Sequence, residues 1–259
     1  MTAGVLPLDD PEFWQDPYPS IAHARRCGRV ARSPDGEIVL LAIDDAEAAS
    51  ARPDFVTLGV AALDRLGMTD GPFRRWRALS LNAQDGGDHV RLRSLVGRAF
   101  SPRQVERVRR ELAVHAQTVV TALGDAEVEV HRDLGGEIPR FSICAFLGIP
   151  LQDRARIAQF MVGTEEGFSV PMTAEKQARA DRGIVALYEY VGELVDRRRA
   201  APGDDLVSAL ISVETDGDRL STAELLAMVV NLIGGAVGSS DAGIANMVEL
   251  MATEPAEVQ

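Results

Sequence analysis

The sequence predicts a mostly α-helical protein with a small β part. Three observations carry this. From Asp88 onward one helical pattern follows another almost to the end. Strand-like alternation is confined to the short stretches 29–42 and 127–131. A long apolar stretch, Ser221 to Thr253, is built to lie in the middle of a core.

Residues 9–19, DDPEFWQDPYP, form a proline-rich extended lead-in, and Ser20 is placed to cap a short helix through Arg26. Arg29 to Arg32 and Glu37 to Ala42 read as two strands joined by the turn Ser33-Pro34-Asp35-Gly36. Asp44 or Asp45 opens a short helix that ends before Pro53. Residues 54–87 carry five glycines and no sustained period, and irregular segments of that length are usually functional. Asp88 caps a helix through Gly97, and Ser101-Pro102 opens another that runs to Leu123 and stops at Gly124. Leu134 to Leu147 is an apolar helix closed by Gly148 and Pro150. Two amphipathic helices follow at 151–167 and 173–199, then a short one at 205–213 and a polar turn from Thr215 to Arg219.

The stretch 221–253 opens on a capping box, Ser221 with Glu224, and Pro255 stands where it should stop. Its first half is apolar nearly all round, and the apolar run is interrupted by Asn231 and two glycines, which favours a protein core over a membrane span. At about 100° per residue, Asn231, Gly234, Gly235, Gly238 and Ala242 fall on one stripe with Ser239 at its edge. Glycine inside a helix costs up to ~1 kcal/mol, so this stripe needs a reason. Either a second backbone crosses closely or a flat ligand lies against the helix; the stretch alone favours the crossing. Ser239 and Ser240 are placed to bond back to carbonyls one turn earlier.

The net charge of −12 and pI near 4.8 argue against general nucleic-acid binding. Two cysteines, Cys27 and Cys144, build no disulfide framework and fit a reducing cytoplasm. The N-terminus is acidic without an apolar run, so no signal peptide and no membrane attachment are expected. Residues 91–110 hold seven arginines and one acid, a positive face for an anionic ligand or an acidic partner. His89 and Arg93 stand one helical turn apart on one side and can together take two carboxylates or a phosphate. His23 and Cys27 share the same spacing but lack further ligands nearby, so no metal site is expected, and Cys144 reads as a small buried hydrophobe. No nucleophile elbow, phosphate loop or dinucleotide fingerprint is present.

Taken together, DPEFWQDPYPSIAHAR, GEIVLLAIDDAEAASARPDF, DGGDHVRLRSLVGRAFSPRQVERVR, FLGIPLQDRARI and the helix 221–253 resemble, in order, stretches of the bacterial cytochromes P-450, the haem-thiolate monooxygenases. The resemblance implies the N-terminal part of the P-450 fold and haem as cofactor. It implies a small apolar organic substrate and an acidic ferredoxin-type redox partner. His89 and Arg93 match the residues that pair with the haem propionates. The helix 221–253 matches the central helix over one haem face, with Ala236 against the haem and Asn231, Gly234 and Gly235 at the substrate pocket. Residues 54–87 match the substrate roof and 155–190 the lid. The family motif small-Gly-x-acid-Thr-Thr meets Gly235-Ala236-Val237-Gly238-Ser239-Ser240, so Ser239 takes the place of the catalytic threonine, Gly238 brings no carboxylate, and Asp241 is the nearest acid. The Glu-x-x-Arg motif and the cysteine-ligand loop would lie beyond Gln259, and neither Cys27 nor Cys144 has the ligand's context. The expectation is therefore a single, incomplete P-450-like domain that does not catalyse by itself. The alternative is a haem-free relative that acts as a binding partner, for example of a glycosyltransferase.

Overall fold

The capping box at Ser221 forms as its spacing requires. The Ser221 hydroxyl accepts from the Glu224 N–H at 3.3 Å, and the Glu224 carboxylate accepts from the Ser221 N–H at 2.8 Å. From it runs the longest helix, Thr222–Thr253. The computed structural model describes residues 4–52, 54–213 and 217–254. The stop expected at Pro255 and the residues 214–216 of the polar turn lie outside the described residues, as does Pro53. The chain divides into two compact units, Met1–Val56 and Thr57–Gln259.

In the first unit a three-stranded sheet has the order β1 (Gly4–Val5), β2 (Val30–Arg32), β3 (Ile38–Leu40). β1 and β2 are parallel and β2 and β3 antiparallel, with Ala31 opposite Val39. The turn between β2 and β3 is the one expected: the Gly36 N–H donates to the Ser33 carbonyl at 3.0 Å, and Gly36 takes a positive φ of 84°. β1 was not legible as a strand. Helix α1 (Tyr18–Cys27) begins before Ser20, because Pro19 sits in its first turn where no backbone N–H is needed, so Ser20 is not its cap. Helix α2 spans Ile43–Ser50, and Leu6, Phe13, Ala24, Ala31 and Leu41 form a small core.

The second unit is helical: α3 (Ala61–Arg65), α4 (Pro72–Leu79), α5 (Gly86–Ala99), α6 (Pro102–Leu123), α7 (Glu137–Leu147), α8 (Arg154–Glu165), α9 (Ala174–Ala200), α10 (Leu206–Ser212) and α11 (Thr222–Thr253). Residues 54–87 are thus less irregular than expected. Phe73 and Trp76, one turn apart on α4, are both buried and give that short helix a reason to form. Asp88 is not the cap of α5; the helix starts earlier, with Asp85 at the cap position, where its carboxylate accepts from the Thr57 N–H at 3.0 Å. Ser101 does cap α6, accepting from the Gln104 N–H at 3.1 Å.

The alternation at 127–131 does not become a strand. The Glu129 carboxylate accepts from the N–H groups of His131 and Arg132, at 3.3 and 2.6 Å, and Asp133 accepts from the Glu129 N–H. These local bonds start a π-helical turn, His131–Gly135, instead, and α7 begins only after it.

The core lies where α9, α11, α7, α5 and α4 meet. α9 brings Leu187, Val191 and Leu194, spaced for one face, all fully buried. α11 brings Ala227 to Val230 and Ile233, and burying side chains such as Met228, Val229, Val230 and Ile233 is worth about 1.5–3 kcal/mol each. This burial, and not a bilayer, accounts for the apolar first half of α11.

Candidate functional site at the open face of the long helix

α11 leaves the core at its glycines. Gly235, Gly238, Ser239, Ala242 and Asn246 are exposed along one side. A Cβ added at Gly235 or Gly238 would meet no atom within 4 Å. The close helix crossing favoured for this stripe is therefore absent among the described residues; the glycines face open space. Gly234 departs from the stripe, since its Cβ would meet the Met161 methyl at 3.5 Å. Ser239 bonds back as expected, its hydroxyl donating to the Gly235 carbonyl at 2.9 Å.

Two cavities flank the open face. The larger, about 440 Å³, lies between α7 and α11; Asn231, Gly235, Ala236 and Ser240 form one wall, and Ile143, Phe146 and Phe100 give it apolar sides. The smaller, about 190 Å³, lies between α11, α8 and the π turn, with His131, Arg140, Glu165 and Asp241 around Gly238 and Met161. In it the His131 Nδ1 is 2.9 Å from an Asp241 carboxylate oxygen. Burial raises the Glu165 carboxyl above its ordinary value, and the nearby Asp241 charge raises it further. Sequence reasoning missed His131, Arg140 and Glu165, because nothing in their spacing signals a contact across 110 residues.

The structure brings Asn231, Gly235 and Ala236 to one cavity and leaves Gly234 on the Met161 side. His89 and Arg93 line neither cavity. His89 is half-buried and its Nδ1 donates to the Leu81 carbonyl at 3.1 Å; Arg93 is exposed one turn on. Their helix is tied to α11: Arg91 pairs with Glu224, and with Asp218 at 3.2 Å. The arginine-rich segment is partly neutralised. Arg91, Arg103, Arg107 and Arg109 pair with carboxylates, while Arg98 and Arg110 are exposed. Cys144 is fully buried and its thiol is pushed up to about 11 by burial, as suits a core hydrophobe.

No family model matches the chain. Among curated proteins it is 28% identical to luteothin monooxygenase of Streptomyces thioluteus over 88% of the chain. It is 31% identical to vitamin D(3) 25-hydroxylase of Pseudonocardia autotrophica over 87% of the chain. The crystal structure of CalO2 superimposes with a TM-score of 0.86 over 97% of the chain, at 24% identity. Further curated relatives carry the name cytochrome P-450 outright, among them PikC of Streptomyces venezuelae at 32% identity. The chain belongs to the cytochrome P-450 family. It spans 55% and 58% of the lengths of the first two relatives and 64% of CalO2. The order of α-helices and the small sheet are those of the P-450 fold, and haem is the cofactor of that family.

Proposed function

We propose that α11 forms one wall of a haem pocket in a monooxygenase that oxidises a small apolar organic substrate. The observation that carries the reading is the bare, exposed glycine face at Gly235 and Gly238, which a flat macrocycle fits and a side chain would spoil. Ala236 lies against the ring in this reading. Asn231, Gly234 and Gly235 shape the substrate space, and the apolar walls at Ile143, Phe146 and Phe100 exclude water from it. As an imidazolium, in which both ring nitrogens donate, His89 donates through Nε2 to a propionate carboxylate, and the Arg93 guanidinium donates beside it. Nδ1 bonding to Leu81 fixes the His89 ring for that task. Ser239 holds a hydroxyl at the edge of the open face. When bound, haem supplies oxygen activation at its iron. The described residues fit the macrocycle on this one face; Cys144, buried and held protonated, does not fit the axial thiolate.

Exposed Arg98 and Arg110 support docking of an acidic ferredoxin-type redox partner, and the two free cysteines support a cytoplasmic location. The two units would then be parts of one P-450-like domain. A second reading, a haem-free binding partner, is favoured by Gly238, which stands where the resemblance expects an acid.

Titration of haem into the protein, followed by absorbance, separates the two. Saturable binding is expected, with Gly238→Phe abolishing it. The double variant His89→Leu/Arg93→Leu should weaken it about tenfold, since exposed ion pairs contribute about 0–1 kcal/mol each. Saturable binding that neither variant affects would refute this placement, and absence of any binding would favour the second reading.

A further inference from the structure

A third cavity, about 360 Å³, opens between α4 and α9 and shares no lining residue with the two that flank α11. Its size falls within the ~300–1,000 Å³ of small-molecule sites. Arg75, Trp76 and Leu79 of α4 line it from one side, at the spacing of one helical face. Ile184, Val185, Tyr188 and Glu189 of α9 line it from the other. Both walls are pinned. The Trp76 indole N–H donates to the Ala227 carbonyl of α11 at 3.4 Å, so the buried ring offers the cavity carbon surface. The Asp181 carboxylate, one turn before Val185 on α9, accepts from the Phe73 N–H at 2.8 Å and holds the first turn of α4 against α9. Val185 is 42% exposed, an apolar side chain left to solvent where the cavity opens. Burial pushes the Tyr188 hydroxyl up to about 12, so Tyr188 brings a ring and no charge. Two exposed charged residues complete the lining. Arg75 is already paired, with Asp70 at 2.9 Å, whereas Glu189 makes no ion pair among the described residues.

We propose that this cavity binds an organic cation with an apolar body, a substituted amine or a quaternary ammonium compound. The apolar part packs on Trp76, Leu79 and Val185, and the charged head sits beside the Tyr188 ring and the Glu189 carboxylate. Three points select a cation over a neutral or anionic ligand. The negative face of an aromatic ring attracts a cation placed within ~6 Å of the ring centre. Glu189 has its charge to offer while that of Arg75 is occupied, so an anion would have to draw Arg75 off Asp70 and approach a carboxylate. The net charge of −12 raises the concentration of cations around the whole chain. No residue of the proposed haem pocket takes part, so the cavity binds its cation with or without haem.

Fluorescence titration of residues 1–259 with benzyltrimethylammonium tests this. Neopentylbenzene, which has the same shape without the charge, and the anion benzylsulfonate serve as comparisons. Trp14→Phe supplies the parent protein, in which Trp76 is the one indole reporter. The cation should change the Trp76 emission saturably. Glu189→Gln should weaken the cation about fivefold, the size of a partly exposed charge pair, and leave the affinity for neopentylbenzene unchanged. Val185→Lys adds bulk and a positive charge at an exposed position of the lining, and should abolish cation binding while the urea midpoint stays that of the parent. The proposal is overturned by a parent that shows no saturation with the cation, or by equal losses of both ligands in Glu189→Gln. It is overturned equally by benzylsulfonate binding more tightly than the cation, or by cation binding that survives Val185→Lys.

Discussion

Glycines of this chain separate into two kinds that the sequence could not tell apart. Gly163 on α8 and Gly183 on α9 sit in a close helix crossing: a Cβ on Gly183 would lie 2.7 Å from the Phe160 carbonyl oxygen and 2.8 Å from the Thr164 nitrogen. These are backbone atoms and cannot yield. Gly183→Ala should therefore cost about 1–3 kcal/mol by overpacking, read as a lower urea midpoint. Gly238→Ala meets nothing, and should stabilise α11 by up to ~1 kcal/mol through helix propensity. A loss of stability in Gly238→Ala would show that something does pack against that face. Periodicity places a glycine on a face of its own helix. It does not say what that face meets, which is why the close crossing was expected on α11 and occurs between α8 and α9.

Helix α11 owes its start to a cluster that joins three segments. Ser221 and Glu224 cap each other, and Glu224 also takes Arg91 from α5, which reaches Asp218 as well. Burial pushes the Glu224 carboxyl up, but its bonds to the Ser221 backbone and hydroxyl and to Arg91 outweigh this and hold it below the ordinary glutamate value. A carboxyl held below its unfolded value contributes stability that is complete above about 4.5 and lost as pH falls through the folded value. Ser221→Ala should cost about 1 kcal/mol at neutral pH, and Arg91→Met should flatten the acid limb of the stability curve below the ordinary glutamate range. An unchanged acid limb in Arg91→Met would show that the pair adds nothing to folding. The capping box was legible because its partners are three residues apart. Arg91 was read only as part of a positive face, because its acids stand more than 120 residues away. The π turn failed as a strand for the opposite reason: the alternation in 127–131 is real, but Glu129 and Asp133 satisfy the local N–H groups before any partner strand can.

Across the whole molecule the apolar material is unevenly covered. α11 is long and apolar enough to cross a membrane, yet Leu225 to Val230 and Ile233 are spent on the core, while Met247, Leu250 and Met251 near its end are exposed. Contiguous exposed apolar surface of this kind promotes association. The 259-residue chain should therefore sediment as concentration-dependent oligomers, and Met247→Lys/Met251→Lys should shift it toward monomer. The spectroscopic prediction follows from the same unevenness. Haem on the glycine face of α11 gains apolar contact on one side, at roughly 25 cal/mol per Å², and propionate contacts at His89 and Arg93 that are exposed and worth about 0–1 kcal/mol each. A thiolate is what gives the reduced carbon-monoxide complex its displaced absorbance band, and Cys144, the cysteine of the helical unit, is not suited to supply one. Cys144 is sealed in the core with its thiol pushed up to about 11, so at neutral pH almost none is ionised. Cys27, on α1, is half-buried with its Sγ 4.0 Å from the His23 Nε2. The chain of residues 1–259, loaded with haem, reduced and treated with carbon monoxide, should show no thiolate-type band, and Cys144→Ser should leave its spectrum unchanged. A stoichiometric thiolate band that disappears in Cys144→Ser or Cys27→Ser would show that one of these thiols reaches the iron, and the placement of haem against α11 would have to be redrawn around it.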